Sequence, residues 1–400
     1  MNIGETLLKL WNESGFNAII SQFLSNGGWQ SLVMIVIACV MFYLGIVKKF
    51  EPLLMVGLAA GCLLTNLPGA NLYHSELWTA FMAGEIGYGD ILHDGGLLDI
   101  FYIGVKTGVY PCLIFLGVGA MTDFGPLLSN PKSLLLGAAA QMGVFAAFFG
   151  ATLLGFTGAE AASIGIIGGA DGPTAILTTS RLAPQLLGPI AIAAYTYMAL
   201  IPLIQPPFMR LLTTKKERQI KMEQTRSVSK AEKIIFPIVV IIFVVLLLPD
   251  TGALIGCLMF GNLLKECGVT DRLSDTVQNA LMNIVTVLLS LSVGATMVGA
   301  SFLNLQTAYI ILLGVTAFIL STVGGLLGGK LLCWLTKGKI NPLIGAAGVS
   351  AVPMAARVAN TEGQKANPAN FLLMHAMGPN VAGVIGSAIA AGFLLKVFGA

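Results

Sequence analysis

Long apolar runs, separated by short polar stretches, dominate this sequence. A helix needs about 20 residues to cross the hydrocarbon core of a bilayer, and most of these runs reach that length. The runs at 51–66 and 252–265 are shorter. The pattern predicts about ten transmembrane helices, near residues 30–48, 51–66, 98–121, 132–155, 187–212, 233–249, 252–265, 274–298, 307–335 and 370–397.

Two more apolar stretches, 160–182 and 340–359, are interrupted in the middle by helix-breaking residues. The first contains the sequence GGADGPT at residues 168–174, in which glycines and a proline surround one carboxylate. Broken backbone at membrane depth is tolerated only where it is packed in protein or lines a watery cavity. We therefore predict two re-entrant hairpins, each entering and leaving the membrane on one side.

Asp171, in the middle of the first break, is the leading functional candidate. An ionisable side chain at membrane depth marks a functional site by default, because its burial costs free energy. The alternative is an ordinary carboxylate in an exposed loop between two helices.

The composition fits a membrane protein and excludes a soluble domain of this size. Hydrophobic residues make up 56% of the 400 residues, charged residues 10%, and the mean hydropathy is +0.85. Such a chain is an all-α polytopic membrane protein. The net charge of +3 is too small to indicate a particular partner.

Charge asymmetry between loops predicts the orientation. Eight of the 22 basic residues lie between Arg210 and Lys233, so the positive-inside rule places this loop in the cytoplasm. The stretch from Asn66 to Asp99 contains five acidic residues and no lysine or arginine, so it faces outside. With alternating spans, both termini lie outside. The first hairpin then opens outward and the second opens to the cytoplasm.

An internal repeat relates the two halves of the chain. Residues 164–175 (IGIIGGADGPTA) align with 344–355 (IGAAGVSAVPMA) at an offset of 180, and flanking matches occur in the same order. Because the predicted orientations are opposite, this is an inverted-topology repeat of the kind found in elevator-like secondary transporters. We predict four segments: an interfacial segment at 1–28, a first repeat at 29–213, a basic cytoplasmic loop at 214–232 and a second repeat at 233–400.

Polar residues of the two hairpins form a candidate cation site, because inverted repeats place their broken helices face to face. Carboxylate, amide and hydroxyl oxygens suit an alkali cation. Alternatives remain for single residues. Ser350 could satisfy a carbonyl of its own hairpin, Tyr197 could be an interfacial anchor, Arg357 could set topology, and Lys106 could snorkel. The candidate residues are Asp171, Tyr197, Asn341, Gly345, Ser350 and Arg357.

The sequence GGADGPTA at 168–175, with the spacing of Asn341, Gly345, Ser350 and Arg357, resembles the beta subunit of sodium-pumping biotin-dependent decarboxylases. That family includes the oxaloacetate, methylmalonyl-CoA, glutaconyl-CoA and malonate decarboxylases. The similarity extends over nearly the whole chain.

The resemblance implies a membrane subunit that decarboxylates carboxybiotin, consumes a proton and drives sodium outward across the bacterial inner membrane. It also implies roles for the candidate residues. Asp171, Asn341 and Gly345 would belong to a sodium site, Ser350 and Tyr197 to a second cation site or the proton route, and Arg357 to the carboxybiotin site.

The resemblance further implies the partners. They are a carboxyltransferase alpha subunit that selects the acid, a biotin carrier subunit, a small membrane-anchor subunit and further copies of this chain, with no nucleic acid. The competing hypothesis is a sodium-coupled secondary transporter of a carboxylate, since fold and repeat alone do not separate the two. A purely structural membrane anchor is a third hypothesis, under which Asp171 would be dispensable.

Overall fold

A computed structural model of the chain describes residues 3–23, 28–223 and 226–399. The predicted interfacial segment therefore lies partly outside the described residues, as do positions 224–225 of the basic loop and Ala400. Within the described part all regular structure is helical, as the sequence predicts. The chain begins with α1 (Ile3–Asn12), α2 (Gly15–Gln22), α3 (Gly28–Ile46) and α4 (Pro52–Asn66).

The rest of the first half surrounds the first hairpin. Two short helices lie in the predicted outer loop, and a 3₁₀ turn at Ile166–Gly169 marks the break in the hairpin. The helices are α5 (Ser75–Met82), α6 (Tyr88–Asp94), α7 (Leu97–Lys106), α8 (Val109–Met121), α9 (Gly125–Ser129), α10 (Ser133–Ala140), α11 (Met142–Leu153), α12 (Gly158–Gly165), α13 (Gly172–Leu182), α14 (Leu187–Ala199), α15 (Ile201–Leu212) and α16 (Lys215–Arg218).

The second half follows a similar order. A 3₁₀ helix at Pro342–Gly348 forms the first limb of the second hairpin. The helices are α17 (Lys230–Leu247), α18 (Gly252–Glu266), α19 (Asp271–Thr276), α20 (Met282–Ala295), α21 (Gly299–Phe302), α22 (Leu305–Leu335), α23 (Met354–Ala366) and α24 (Leu373–Phe398).

The predicted number of spans is only partly supported. Five helical segments of the described chain are long and apolar enough to cross a membrane, and up to seven qualify if each bent pair counts as one span. The pair α7 and α8 bends by 63°, and the pair that ends in α15 bends by 64°. All ten predicted runs are largely helical, but α4 and α18 have only 15 residues each.

Both predicted hairpins contain a break, but their limbs differ. In the first, α12 and α13 flank the 3₁₀ turn, so both limbs are mainly α-helical. In the second, the first limb is a seven-residue 3₁₀ helix, and α23 continues to Ala366, beyond the predicted end at 359. A 3₁₀ run of that length is uncommon. The 3₁₀ segments of both hairpins lie against α22 and α24.

The two halves of the chain also pack against each other through short helices. Helix α4 crosses α20, and α18 crosses α8. A side chain at Gly61 would overlap the carbonyl oxygen of Leu291, and one at Gly261 would overlap that of Leu116. Glycine at these two positions lets the helix backbones approach closely, as small residues do in membrane proteins.

Candidate functional site

The break in the first hairpin buries Asp171 at the start of a helix. Ala170, just before it, has a left-handed backbone conformation with φ of 53°, which turns the chain into α13. Asp171 is the N-cap of α13 and is 8% exposed. The hydroxyl of Thr174 donates a hydrogen bond of 2.6 Å to the carboxylate. The local sequence therefore holds this carboxylate at a helix N-terminus, which favours negative charge.

A residue of the last helix completes the surroundings of this carboxylate. The Ser387 hydroxyl, on α24, donates to Asp171 Oδ2 at 2.8 Å. Ser387 was absent from the sequence-based candidates. The internal repeat gives a weak signal for Ser387. Gly188 of the first half corresponds to Gly378 of the second, and Ser387 follows Gly378 at the same spacing at which the candidate Tyr197 follows Gly188.

Ser350 joins the two hairpins. Its backbone nitrogen and its hydroxyl both donate to the carbonyl oxygen of Gly169, at 3.2 and 2.5 Å. The acceptor, Gly169, therefore belongs to the other hairpin. In this contact Ser350 does not bond to a carbonyl of its own hairpin. The two breaks meet two residues from Asp171.

A second buried carboxylate shows what sets Asp171 apart. Asp99 is fully buried and accepts hydrogen bonds from Trp78 Nε1 at 2.8 Å and from the backbone nitrogen of Gly96 at 2.9 Å. His74 also contacts it through its backbone nitrogen and ring. These nitrogen donors satisfy the carboxylate but offer no oxygen to a cation. The side chains around Asp171 are hydroxyls, whose lone pairs can bind one.

Tyr197 does not contact Asp171 in the structure. Its hydroxyl donates to the carbonyl oxygen of Ile311 on α22. The tyrosine near the carboxylate is Tyr195, whose ring packs against Gly172 and whose buried hydroxyl has no hydrogen-bond partner in the described part of the chain. The predicted tyrosine, Tyr197, lies two positions away, because the apolar sequence around both residues does not show which of them faces the hairpin.

Asn341 is placed at the base of the second hairpin. Its amide nitrogen donates to the carbonyl oxygens of Arg218 and Ile220, each at 3.0 Å, and its oxygen accepts from the backbone nitrogen of Leu343. Asn370 donates to the same two carbonyls at 3.1 Å. The two asparagines therefore fasten the segment after α16 to the hairpin, and the structure does not bring Asn341 into contact with Asp171.

Gly345 packs against α22. A side chain on this residue would overlap the carbonyl oxygen of Gly325 and come within 3.1 Å of the backbone nitrogen of Gly329. In the structure Gly345 serves close packing of the 3₁₀ limb.

Two basic residues lie beside the hairpins. Arg357 lies on α23, is exposed, and its side chain has no hydrogen-bond or ion-pair partner among the described residues. Lys106, at the end of α7, donates to the carbonyl oxygen of Ser180 at 2.9 Å. Lys106 therefore contacts the last turn of α13, where carbonyls lack helical partners.

Together these features define a class: a polytopic helical membrane protein with a buried, oxygen-lined carboxylate where two broken helices meet. The family model described as "Na+-transporting oxaloacetate decarboxylase beta subunit" matches residues 30–398. The chain belongs to this family.

Curated relatives agree over nearly the full length. The chain is 56% identical to methylmalonyl-CoA decarboxylase subunit beta of Propionigenium modestum, covering 99% of this chain and 100% of the relative. It is 58% identical to glutaconyl-CoA decarboxylase subunit beta of Acidaminococcus fermentans, covering 98% of each. It is 53% identical to oxaloacetate decarboxylase beta chain 2 of Salmonella typhi, covering 92% of this chain and 95% of the relative.

The predicted family is thus confirmed. The chain is a multi-pass membrane subunit of a decarboxylase-coupled sodium pump, and a secondary carboxylate transporter is not favoured.

Proposed function

We propose that sodium, the transported substrate, binds at Asp171 between the two hairpin breaks. The observation that carries this proposal is the buried carboxylate, with hydroxyls of Thr174 and Ser387 on its oxygens. Ser350 and the carbonyl of Gly169 lie at the adjoining hairpin contact. Carboxylate, hydroxyl and carbonyl oxygens are ligands that a hard cation prefers.

The proposed coupling is a competition between sodium and a proton for Asp171. A bound cation disfavours protonation of a nearby carboxylate, and protonation weakens the cation site. Carboxybiotin loses CO₂ by cleavage of its ureido N–C bond, and the nitrogen takes up a proton. In the proposed step, sodium displaces the proton from Asp171, and the ureido nitrogen of biotin receives this proton. The sodium ion then neutralises the carboxylate of Asp171, so charge is balanced. Tyr197 and Ser350 remain candidates for the proton route or a second cation site.

Arg357 is the proposed binding residue for carboxybiotin, which a partner subunit carries. Its exposed guanidinium on α23 is free of side-chain partners within the described residues, so it is available to a carboxylate. Arginine binds carboxylates through two parallel hydrogen bonds, which a lysine cannot reproduce.

Arg357→Lys is therefore expected to raise the carboxybiotin concentration needed for half-maximal rate about tenfold, with sodium half-saturation nearly unchanged. Decarboxylation kinetics with carboxybiotin and sodium varied independently measure both quantities. Arg272→Lys is the matched control, since Arg272 is exposed on α19 and its side chain has no hydrogen-bond or ion-pair partner in the described chain. Wild-type kinetics in Arg357→Lys would remove Arg357 from the site.

We also propose that the halves 29–213 and 233–400 form an inverted repeat and that one hairpin-bearing unit moves against a fixed scaffold, as in elevator transporters. The reciprocal crossings support this. Gly61 on α4 packs against α20, and Gly261 on α18 packs against α8, at corresponding positions of the two halves. An inverted repeat can expose one central site alternately to each side.

The proposed orientation has both termini outside, with the basic loop at 214–232 in the cytoplasm. Exposed leucines and a tryptophan on α1 are consistent with an interfacial N-terminal segment at 1–28. The enrichment of lysine and arginine between α15 and α17 supports an inside location for the loop.

This orientation predicts opposite labelling of two exposed positions in a cysteine-free background. Gly87→Cys should react with a membrane-impermeant maleimide in spheroplasts, and Ser227→Cys should react only after permeabilisation. Both sites are exposed, and neither forms a helix cap through its side chain. The reverse labelling pattern would overturn the orientation and the assignment of the second hairpin to the cytoplasm.

The relatives' names as beta subunits support a multi-subunit assembly. We propose a carboxyltransferase alpha subunit, a biotin carrier, a small membrane anchor and further copies of this chain as partners in the bacterial inner membrane. The test is purification of the assembly, identification of the co-purifying subunits, and assay of sodium-dependent decarboxylation of free carboxybiotin. Sodium transport by this chain alone, driven by a carboxylate gradient, would instead support the secondary transporter.

A further inference from the structure

Gln141 is a buried side chain with an unused oxygen. It interrupts the span Ser133–Leu153, between α10 and α11, and is 5% exposed. Its amide nitrogen donates to the carbonyls of Gly137 and Gly383 through long bonds of 3.4 Å. Its Oε1 is buried and has no hydrogen-bond partner in the described chain. Leaving a buried acceptor unpaired is unfavourable, so this oxygen is available to a ligand.

The oxygen of Gln141 lies beside the hairpin break. A Cβ atom built on Gly169 would be 3.8 Å from Gln141 Oε1 and 3.1 Å from Ser387 Cβ. The amide of Gln141 also packs on Gly386, next to Ser387. The same Ser387 donates to Asp171. Gln141 Oε1 and Ser387 therefore both lie against Gly169, and Ser387 in turn contacts the carboxylate of Asp171.

We infer that Gln141 Oε1 is a neutral ligand of the sodium ion at Asp171. This inference rests on the proposed sodium site. An amide oxygen is a hard ligand, and it adds to the coordination of a monovalent cation without adding a second negative charge. Because the amide of Gln141 does not titrate, sodium and protons would compete only for Asp171. Sodium would also satisfy the unpaired oxygen and so join α10 and α11 to α24 and the first hairpin.

Two substitutions separate the oxygen of Gln141 from its NH₂ group. Gln141→Leu removes both at similar volume and should raise the sodium half-saturation about tenfold. Gln141→Glu keeps an oxygen but loses the donor, so its half-saturation at pH 8 should stay within about threefold of wild type. At pH 6 the glutamate should bind sodium more weakly, because protons compete for two carboxylates.

The readouts are sodium titration of decarboxylation by the complete assembly and equilibrium ²²Na⁺ binding to the full chain in nanodiscs. Gln205→Leu is the matched control. Gln205 is a buried glutamine whose amide donates to Ala346 of the second hairpin and whose oxygen is likewise unpaired within the described residues. Gln205→Leu should keep sodium half-saturation within about twofold.

The inference is overturned if Gln141→Leu binds sodium as wild type does, or if Gln141→Glu loses binding as fully as Gln141→Leu while still assembled. The second result would show that only the NH₂ group matters. If Gln141→Leu does not assemble, sodium binding by Gln141→Glu is the deciding measurement, and its loss overturns the inference. Wild-type sodium binding by Asp171→Asn would instead remove the proposed sodium site itself.

Discussion

Asp171→Asn is expected to abolish sodium-dependent decarboxylation while the protein still inserts and assembles. Asparagine keeps the size of the side chain and its position at the start of α13, but it removes the charge that a cation needs. Removing one partner of a buried ion pair costs about 3–5 kcal/mol, which corresponds to roughly a hundredfold or more in sodium affinity. Sodium titration of decarboxylation and ²²Na⁺ uptake into proteoliposomes measure the loss.

Asp99→Asn is the matched control for that experiment. Asp99 is also buried, but its hydrogen-bond donors are nitrogens of Trp78, Gly96 and His74. Its substitution should lower the melting temperature and leave sodium half-saturation unchanged in the protein that folds. If Asp171→Asn retains wild-type sodium stimulation, the carboxylate at the hairpin break is not the sodium ligand.

Gly345→Ala is expected to destabilise the chain strongly. The added methyl group would overlap the backbone carbonyl of Gly325, and the nearby atom of Gly329 is also backbone, so no side chain can move aside. Overpacking of a close-packed interior typically costs about 1–3 kcal/mol, and a clash between backbones belongs at the upper end. We expect a lower melting temperature and poor accumulation in the membrane, measured by thermal unfolding and fluorescence-detected size exclusion.

Gly256→Ala is the control, because a methyl group on Gly256 of α18 would meet no atom of the described residues within 4 Å. Alanine favours a helix over glycine by about 1 kcal/mol, so this variant should be at least as stable as wild type. If Gly345→Ala melts normally but needs much more sodium for half-maximal activity, Gly345 belongs to the sodium site, as the resemblance implies.

The helices and the hairpin breaks could be predicted because they depend on local sequence. Glycine and proline around Asp171 interrupt an apolar run, and no neighbouring segment is needed to see the break. The bends within 98–121 and 187–212 were missed, although Gly108 occupies a left-handed conformation at the first of them. Apolar composition continues through both bends, so hydropathy gives no boundary there.

The partners of Asp171 were harder to predict, because they depend on the packing of distant helices. Ser387, which contacts Asp171, and Gln141, the inferred sodium ligand, are single polar residues in long apolar spans, where a serine or glutamine has no periodic pattern to fix the face it occupies. Asn341 was expected at the cation site because it lies on the second hairpin, which an inverted repeat places opposite the first, and because the resemblance implies a sodium ligand there. The seven-residue 3₁₀ limb instead places it at the hairpin base, against Arg218 and Ile220.

Helix α13 is an uninterrupted, rigid segment between two charged groups. Asp171 begins its first turn, and the ammonium of Lys106 contacts Ser180 in its last turn. Eleven residues of α-helix span about 16 Å and have no hinge between them. A small displacement of the first turn when an ion arrives would therefore be transmitted to α7 at the far end. With sodium bound at Asp171 as proposed, α13 would thus be a mechanical link between the ion site and α7.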